Sequence, residues 1–430
     1  MDIMIYFPLV FFGILFSRNY KKKGIDIYGY LLLIYTFSAF FSIFVDSLNL
    51  YKEYDIFKHP LGIVAPLFYC VLIAICLAPY KVFNSGIIKK IQIVNISRYN
   101  KVVYASFLLF VLMILVSVSR IQDIFVAQSL ASVRDGFYHG DAEFVWSGYS
   151  GWFRYFIGIA SLLSSSSYIL ILFFFYNITI LQKPFWFNVI TLLGSFTPLI
   201  QSVFIADRSG FIHWTLVFVM SFVLFYKMML PRARKQFVCV GAFLFSMVLL
   251  YFVSVTISRF GDDVGGDQSD VFASLVYYSG SSYIQFCNFF NTLSYDAPFS
   301  LAPLFPLTYW LCGWPGYFEQ CLLVEQVYHH GVSNFSTFLG MILSMSGRVV
   351  MCLFVLIYYF ISMGVVRRNQ LSFLTVKKMI YFFIVVLILN NGLFGYFYMS
   401  YSSTCNIIIW IFLAKYLSKN NGKMSIRIIS

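Results

Sequence analysis

Six arginines carry the first suggestion of chemistry in this chain. Asp207-Arg208-Ser209-Gly210 stands between two long apolar stretches, and Arg259 lies in Ser258-Arg259-Phe260-Gly261. Arg120 and Arg134 belong to the polar segment that follows the fourth apolar stretch, and Arg154 and Arg348 stand at the starts of later ones. A guanidinium stays charged at physiological pH and grips a phosphate through two parallel hydrogen bonds. Arginines held this way suit recognition of a phosphate-bearing ligand. The structural alternative is pairing with a nearby acid such as Asp207, or reaching toward lipid headgroups. Arg208 and Arg259 are the pair assigned to a site.

A second group could move a proton. His329-His330 follows Glu319 and Glu325 and precedes Asn334-Phe335-Ser336-Thr337. A histidine near a carboxylate can take a proton from a hydroxyl at neutral pH, although adjacent loop histidines are also commonly just solvated. As a metal site the set is poor, because no two histidines stand at i, i+4 and there is no HExxH. Asp262, Asp263, Asp267 and Asp270 lack the alternation of an EF-hand and read as a flexible acidic turn. Neither a glycine-rich nucleotide loop nor a nucleophile elbow is present. No cofactor and no metal are expected.

The cysteines add little. Cys70, Cys76, Cys239, Cys352 and Cys405 fall within apolar stretches and read as small fillers. Cys287, Cys312 and Cys321 lie between such stretches, and three cannot pair fully.

The elements that hold these groups follow from composition. The chain has 430 residues, of which 60% are apolar and only 11% charged, with 51 Phe and 32 Tyr. A soluble protein carries about 25% charged residues to hydrate its surface. Most outward side chains here must therefore meet lipid. Disorder and a disulfide-stapled mini-protein are excluded by the same figures. A spanning helix needs roughly 20 mostly apolar residues. Eleven stretches qualify, at about 3–17, 28–45, 61–79, 102–119, 153–176, 185–206, 209–229, 236–256, 345–366, 379–396 and 400–416. The expected fold is an all-α polytopic membrane protein of about eleven transmembrane helices, a single integral domain over 1–430.

Charge placement orients it. Alternate connections hold 22 of the 30 Lys and Arg but a single acid, Asp26, whereas the other face holds 16 of the 17 acids. Lys and Arg mark the cytoplasmic side, so the N-terminus is expected outside and the C-terminus inside. The net charge of +13 is thus mainly a topology signal; a nucleic-acid partner would require a folded basic domain. Lys21 to Lys23 follow the first apolar run, the reverse of a cleaved signal peptide. Two external segments are long, 120–151 and 258–342, the larger one before the ninth helix. Pieces of the second, such as Phe272–Tyr278 and Leu301–Trp314, are too short or too interrupted by proline to span, and suit helices at the interface or over a cavity. Six of the eight basic residues on the outer face are arginine, against seven of 22 inside. That skew exceeds what topology alone requires.

Taken together, these features resemble the Wzy-type polymerases of bacterial O-antigen and capsule synthesis. The resemblance lies in the many-helix, aromatic-rich, poorly charged chain, its large late external loop and its outer arginines. The local cues are Asp207-Arg208-Ser209-Gly210 at a helical hairpin, Ser258-Arg259-Phe260 opening the large loop, and His330 through Thr337 before the next helix. An arginine–ten residues–glycine pattern described for some members is absent after Arg134, Arg208 and Arg259. The resemblance implies polymerisation of undecaprenyl-pyrophosphate-linked oligosaccharide units at the periplasmic face of the inner membrane. It implies Arg208 and Arg259 on the pyrophosphate and His330 or Glu325 near the acceptor hydroxyl. Arg120, Arg134 and Asn334 would contact substrate, and Trp310, Trp314 and Tyr317 would stack on sugar rings. A chain-length regulator is a further partner in this picture. The rival readings are an O-antigen ligase, which uses the same donor, and a flippase for lipid-linked oligosaccharide, which should show charges lining a cavity inside the bilayer.

Overall fold

The computed structural model describes residues 2–50, 60–83, 90–92, 94–126, 158–204 (161 excepted), 209–231, 268–292, 299–316, 336–369, 373–418 and 426–428, with part of 233–250 and 319–323. Its helices are α1 (Phe7–Lys23), α2 (Ile27–Ser47), α3 (Val64–Val82), α4 (Ile96–Val126), α5 (Ile169–Tyr176), α6 (Phe185–Gly194), α7 (Thr197–Phe204), α8 (Ser209–Phe225), α9 (Gln268–Thr292), α10 (Pro306–Leu311), α11 (Phe338–Asn369), α12 (Val376–Asn390) and α13 (Tyr401–Ser418). The strands are short: β1 (Lys90–Gln92), β2 (Phe373–Leu374) and β3 (Ile426–Ile428).

Among the described residues, seven spans are long and apolar enough to cross a membrane: Ile3–Lys23, Ile27–Ser47, Val64–Val82, Ile96–Leu115, Gly158–Leu181, Ser209–Met228 and Phe338–Arg367. A helix satisfies its own backbone groups, which hydrocarbon cannot do. The chain is an all-helical, membrane-spanning protein. These spans match seven of the expected stretches. The stretch 185–206 departs from expectation. It breaks between α6 and α7, where Ser195 and Phe196 donate back three residues to Leu192 and Leu193 and Pro198 enters the first turn of α7. A proline has no amide to continue the preceding helix.

The chain divides into two compact units. The first comprises Met1–Ile88, Phe272–Leu374 and Lys378–Ile408, and the second Lys89–Val271, Thr375–Lys377 and Ile409–Ser430. In the first, α1 ends at Gly24, whose φ of 68° suits glycine. Asp26 then caps α2: its Oδ1 accepts from Gly29 N and from Asn19 Nδ2, each at 2.8 Å. The lone acid among the basic connections is thereby a buried joint between two helices.

The segment 258–342 holds more regular structure than the apolar piece Phe272–Tyr278 suggests. It contains α9, a helix of 25 residues, buried throughout from Ser281 to Phe289. Ser38 and Ser42 on α2 donate to the carbonyls of Ser279 at 2.9 Å and Gly280 at 2.6 Å. A Cβ on Gly280 would run into the backbone of Phe41, so glycine is what lets α2 and α9 meet. Tyr283 Oη donates to the Met4 carbonyl at 3.0 Å, and Asn291 Nδ2 to those of Pro60 and Leu61. A helix whose neighbours are protein need not be uniformly apolar, which is why hydropathy misses it.

In the second unit, every residue of α5 is buried. A π-helical turn at Asn177–Leu181 follows it. Tyr99 Oη donates to Asn177 Oδ1 at 2.6 Å, and Asn177 Nδ2 to Thr191 Oγ1 at 3.1 Å, fixing that turn against α4 and α6. Lys183 lies over the Phe187 ring, 4.8 Å from its centroid, and partial burial pushes its pKa below the ordinary lysine value. β1 and β3 pair antiparallel, Ile91 opposite Arg427.

Candidate functional site

The hairpin of α7 and α8 leads to Arg208. Gly210 N donates to Ser202 Oγ at 3.1 Å, and a Cβ at Gly210 would stand 2.8 Å from the Pro198 carbonyl oxygen. Glycine two residues after Arg208 is therefore required by helix packing. Arg208 itself, with Arg259, Arg134, Glu325, His330, Asn334 and Tyr317, lies outside the described residues. Arg120 falls on α4, but its side chain is likewise outside them.

Two predicted residues are described. Trp310 of α10 is 57% exposed and stacks on Tyr401, at the start of α13, with centroids 5.1 Å apart and planes 15° apart. Trp314 is 55% exposed and meets Tyr309 edge-on at 5.3 Å. Tyr309 Oη in turn accepts from Leu301 N at 3.0 Å, which ties α10 to the segment before it. Each tryptophan is thus braced by a tyrosine and still offers surface to a ligand or to the lipid interface.

Arg348 has a structural task. Its Nη2 donates to the Phe290 carbonyl at 2.5 Å, and its guanidinium lies 4.6 Å from the centroid of the Phe290 ring. It closes the C-terminal turn of α9, where a cation is favoured by the helix dipole.

Buried polar side chains lie where two helices break. Gly347, with φ 79° and ψ 173°, divides α11 into a segment of 338–346 and a longer one. The aromatic ring of Phe338, at the start, reaches Phe354 beyond the break, at 6.1 Å. The two segments therefore fold back beside one another. Thr337 Oγ1 caps the first by accepting from Gly340 N at 3.2 Å. Phe338 N donates to Gly392 O at 2.9 Å, just past the end of α12. Beyond Asn390 the chain leaves the α-helix until Tyr401, and most of it is buried. Tyr396 rests against Phe354 at 5.5 Å, and Ser282 Oγ of α9 donates to Leu393 O at 2.6 Å. Phe286, one turn further along α9, lies against Gly340, where a Cβ would come 3.7 Å from its Cα.

The side chains at this junction are neutral and polar. Ser281, Gln285, Ser336, Asn390 and Asn391 are each at most 2% exposed. Asn390 Nδ2 donates to Asn391 Oδ1 at 2.8 Å. That leaves Asn390 Oδ1, Asn391 Nδ2, Gln285 Nε2, Ser281 Oγ and Ser336 Oγ buried without a hydrogen-bond partner among the described residues. Each such group costs about 1–3 kcal/mol if nothing fills it. Native interiors rarely tolerate several together, so such atoms commonly bind water or a ligand. Amides and hydroxyls suit the hydroxyls of a neutral ligand. The signal was available as Asn390-Asn391-Gly392 inside an apolar run.

Among the described residues no cluster of His, Cys, Asp and Glu could hold a metal ion. Cys287 and Cys321 are buried and Cys312 is exposed, and Cys287 and Cys312 are free thiols. Family models, curated proteins and solved structures yield no match to this chain.

Proposed function

We propose that the chain is a membrane glycosyltransferase of the Wzy type, crossing the bacterial inner membrane about eleven times with its N-terminus in the periplasm and its C-terminus in the cytoplasm. It polymerises oligosaccharide units carried on undecaprenyl pyrophosphate. The acceptor hydroxyl oxygen of a new unit's non-reducing-end sugar attacks the anomeric carbon of the growing glycan. The bond from that carbon to the pyrophosphate oxygen breaks, and its electron pair leaves with the lipid. Arg208 and Arg259 hold the charge that builds there, with Arg120 and Arg134 nearby on the same face. Removing one preorganised group of this kind commonly lowers rate by about 10²–10³-fold. His330 or Glu325 takes the hydroxyl proton. Asn334 binds the glycan, on which Trp310, Trp314 and Tyr317 stack. The donor is already activated, so the scheme needs neither nucleotide nor metal.

The observation that carries this reading is the segregation of charge: 16 of 17 acids share one face with eight basic residues, six of which are arginine. The test is Arg208→Ala and Arg259→Ala. Both should insert normally and abolish long-chain polysaccharide, while Arg232→Ala on the opposite face should leave it intact. Normal polymer length in both outer variants would overturn the assignment.

One observation favours a second reading, the flippase. Broken helices around neutral polar groups, as at Gly347 and after Asn390, are a transporter feature. Deleting a flippase leaves lipid-linked units unreachable from the periplasm, whereas deleting a polymerase leaves them exposed and transferred singly.

A further inference from the structure

Among the described residues, α1 packs on one side only. Pro8, Phe12 and Asn19 are buried, and Phe12 reaches Tyr35 and Tyr69 at 5.9 and 6.3 Å. The opposite stripe forms an open trough of about 370 Å³, walled by Leu9, Val10, Ile14 and Ser17 and floored by Gly13. A Cβ at Gly13 would meet nothing within 4 Å among the described residues, so none of them fills it. Val10 and Ile14 are 55% and 48% exposed. At one end the same stripe finishes in Arg18 and Lys21. Lys23 is engaged elsewhere, its Nζ donating to Lys81 O at 2.7 Å.

We propose that this trough holds one acyl chain of an anionic diacyl phospholipid, with the phosphate on Arg18 and Lys21. The dimensions agree. The nine helical steps from Leu9 to Arg18 span about 13.5 Å, close to half of the roughly 30 Å hydrocarbon core. The acyl chain therefore runs through one leaflet and brings its headgroup to the level of the cations. Two basic side chains there select negative over zwitterionic heads. Charge also sets this occupant apart from a second copy of the protein. Copies inserted with the same topology would pack α1 against α1 in parallel, placing Arg18, Lys21 and Lys22 against their own counterparts. An anionic headgroup neutralises those cations where a second copy would add to them.

The test measures lipid binding to the full-length protein in mild detergent by native mass spectrometry, with phosphatidylglycerol and phosphatidylcholine as probes. Phosphatidylglycerol should bind more tightly. Arg18→Ala with Lys21→Ala should weaken it about 30-fold, about fivefold for each basic residue. Gly13→Leu, which fills the trough without touching charge, should weaken it as well, and Lys22→Ala should change it less than twofold. All these positions are exposed or open, so the variants should elute and melt as the parent does. Equal retention of both lipids, or no effect of the double variant, overturns the proposal. So does efficient disulfide crosslinking of Gly13→Cys between copies, which would give the trough to a second chain.

Discussion

Phe338, the first residue of α11, donates its amide to the carbonyl of Gly392, two residues past the end of α12, at 2.9 Å. Two helix ends thus satisfy one another inside protein, where neither helix continues. Every helix start leaves orphan amides and every end orphan carbonyls. Here Thr337 takes one amide and Gly392 another. Gly392 has no side chain because a Cβ there would press on the Ile388 carbonyl and on the Phe338 ring. The backbone at the break is well partnered. The side chains around it are not, among the described residues, as a ligand-binding site would require and a mere kink would not.

Gln285→Met should separate those roles. The replacement keeps length and removes Nε2, which is buried without a partner. An unsatisfied buried group costs about 1–3 kcal/mol, so its loss should raise the melting temperature in detergent. Polysaccharide synthesis should fall at the same time, because the amide is retained for a bound hydroxyl. Such opposition of stability and activity is typical of functional groups. A variant that melts higher and works normally would reduce Gln285 to a tolerated defect.

Two glycines provide an internal contrast. Gly280→Ala drives a Cβ into the Phe41 backbone, whereas Gly13→Ala meets only open space. Alanine gains up to about 1 kcal/mol of helix propensity at either position. Overpacking at a tight contact costs about 1–3 kcal/mol. Gly280→Ala should therefore lower the thermal midpoint, and Gly13→Ala should hold or raise it. Equal behaviour of the two would mean that α2 and α9 do not approach at Gly280.

The same contrast shows how far sequence carries the fold. α1, α2, α3 and α8 are plain from their apolar runs, since lipid or apolar neighbours surround them. α9 is not. Its Ser279-Gly280-Ser281-Ser282, Gln285 and Asn288 lower its hydropathy below that of a span, because its partners are backbone carbonyls of the same chain and not lipid. Gly347 sits in an apolar run that reads as one helix starting near 345, and only its positive φ reveals the segment folded back before it. Of the predicted site, Trp310 and Trp314 are braced by tyrosines, and the hairpin that leads to Arg208 is explained by Gly210. Arg348 reads in sequence like the other outer arginines. Its partner, the Phe290 carbonyl, is 58 residues away and cannot be paired with it by any local pattern.

Arg348→Ala therefore tests whether arginines that look alike in sequence do different work. Its guanidinium is held by the Phe290 carbonyl and ring, at the end of α9. Losing the ring contact at an exposed site costs about 0.5–1 kcal/mol, with a further contribution from the charged hydrogen bond. Arg348→Ala should lower the melting temperature by a few degrees and leave the amount and length of polysaccharide unchanged. Arg348→Lys should recover only part of the stability, because an ammonium cannot stack and donate in the same plane. Arg208→Ala should do the opposite, sparing the melt and removing the polymer. If Arg348→Ala also ended polymerisation, its grip on α9 would be part of the catalytic arrangement, and the division between a structural and a phosphate-binding arginine would fail.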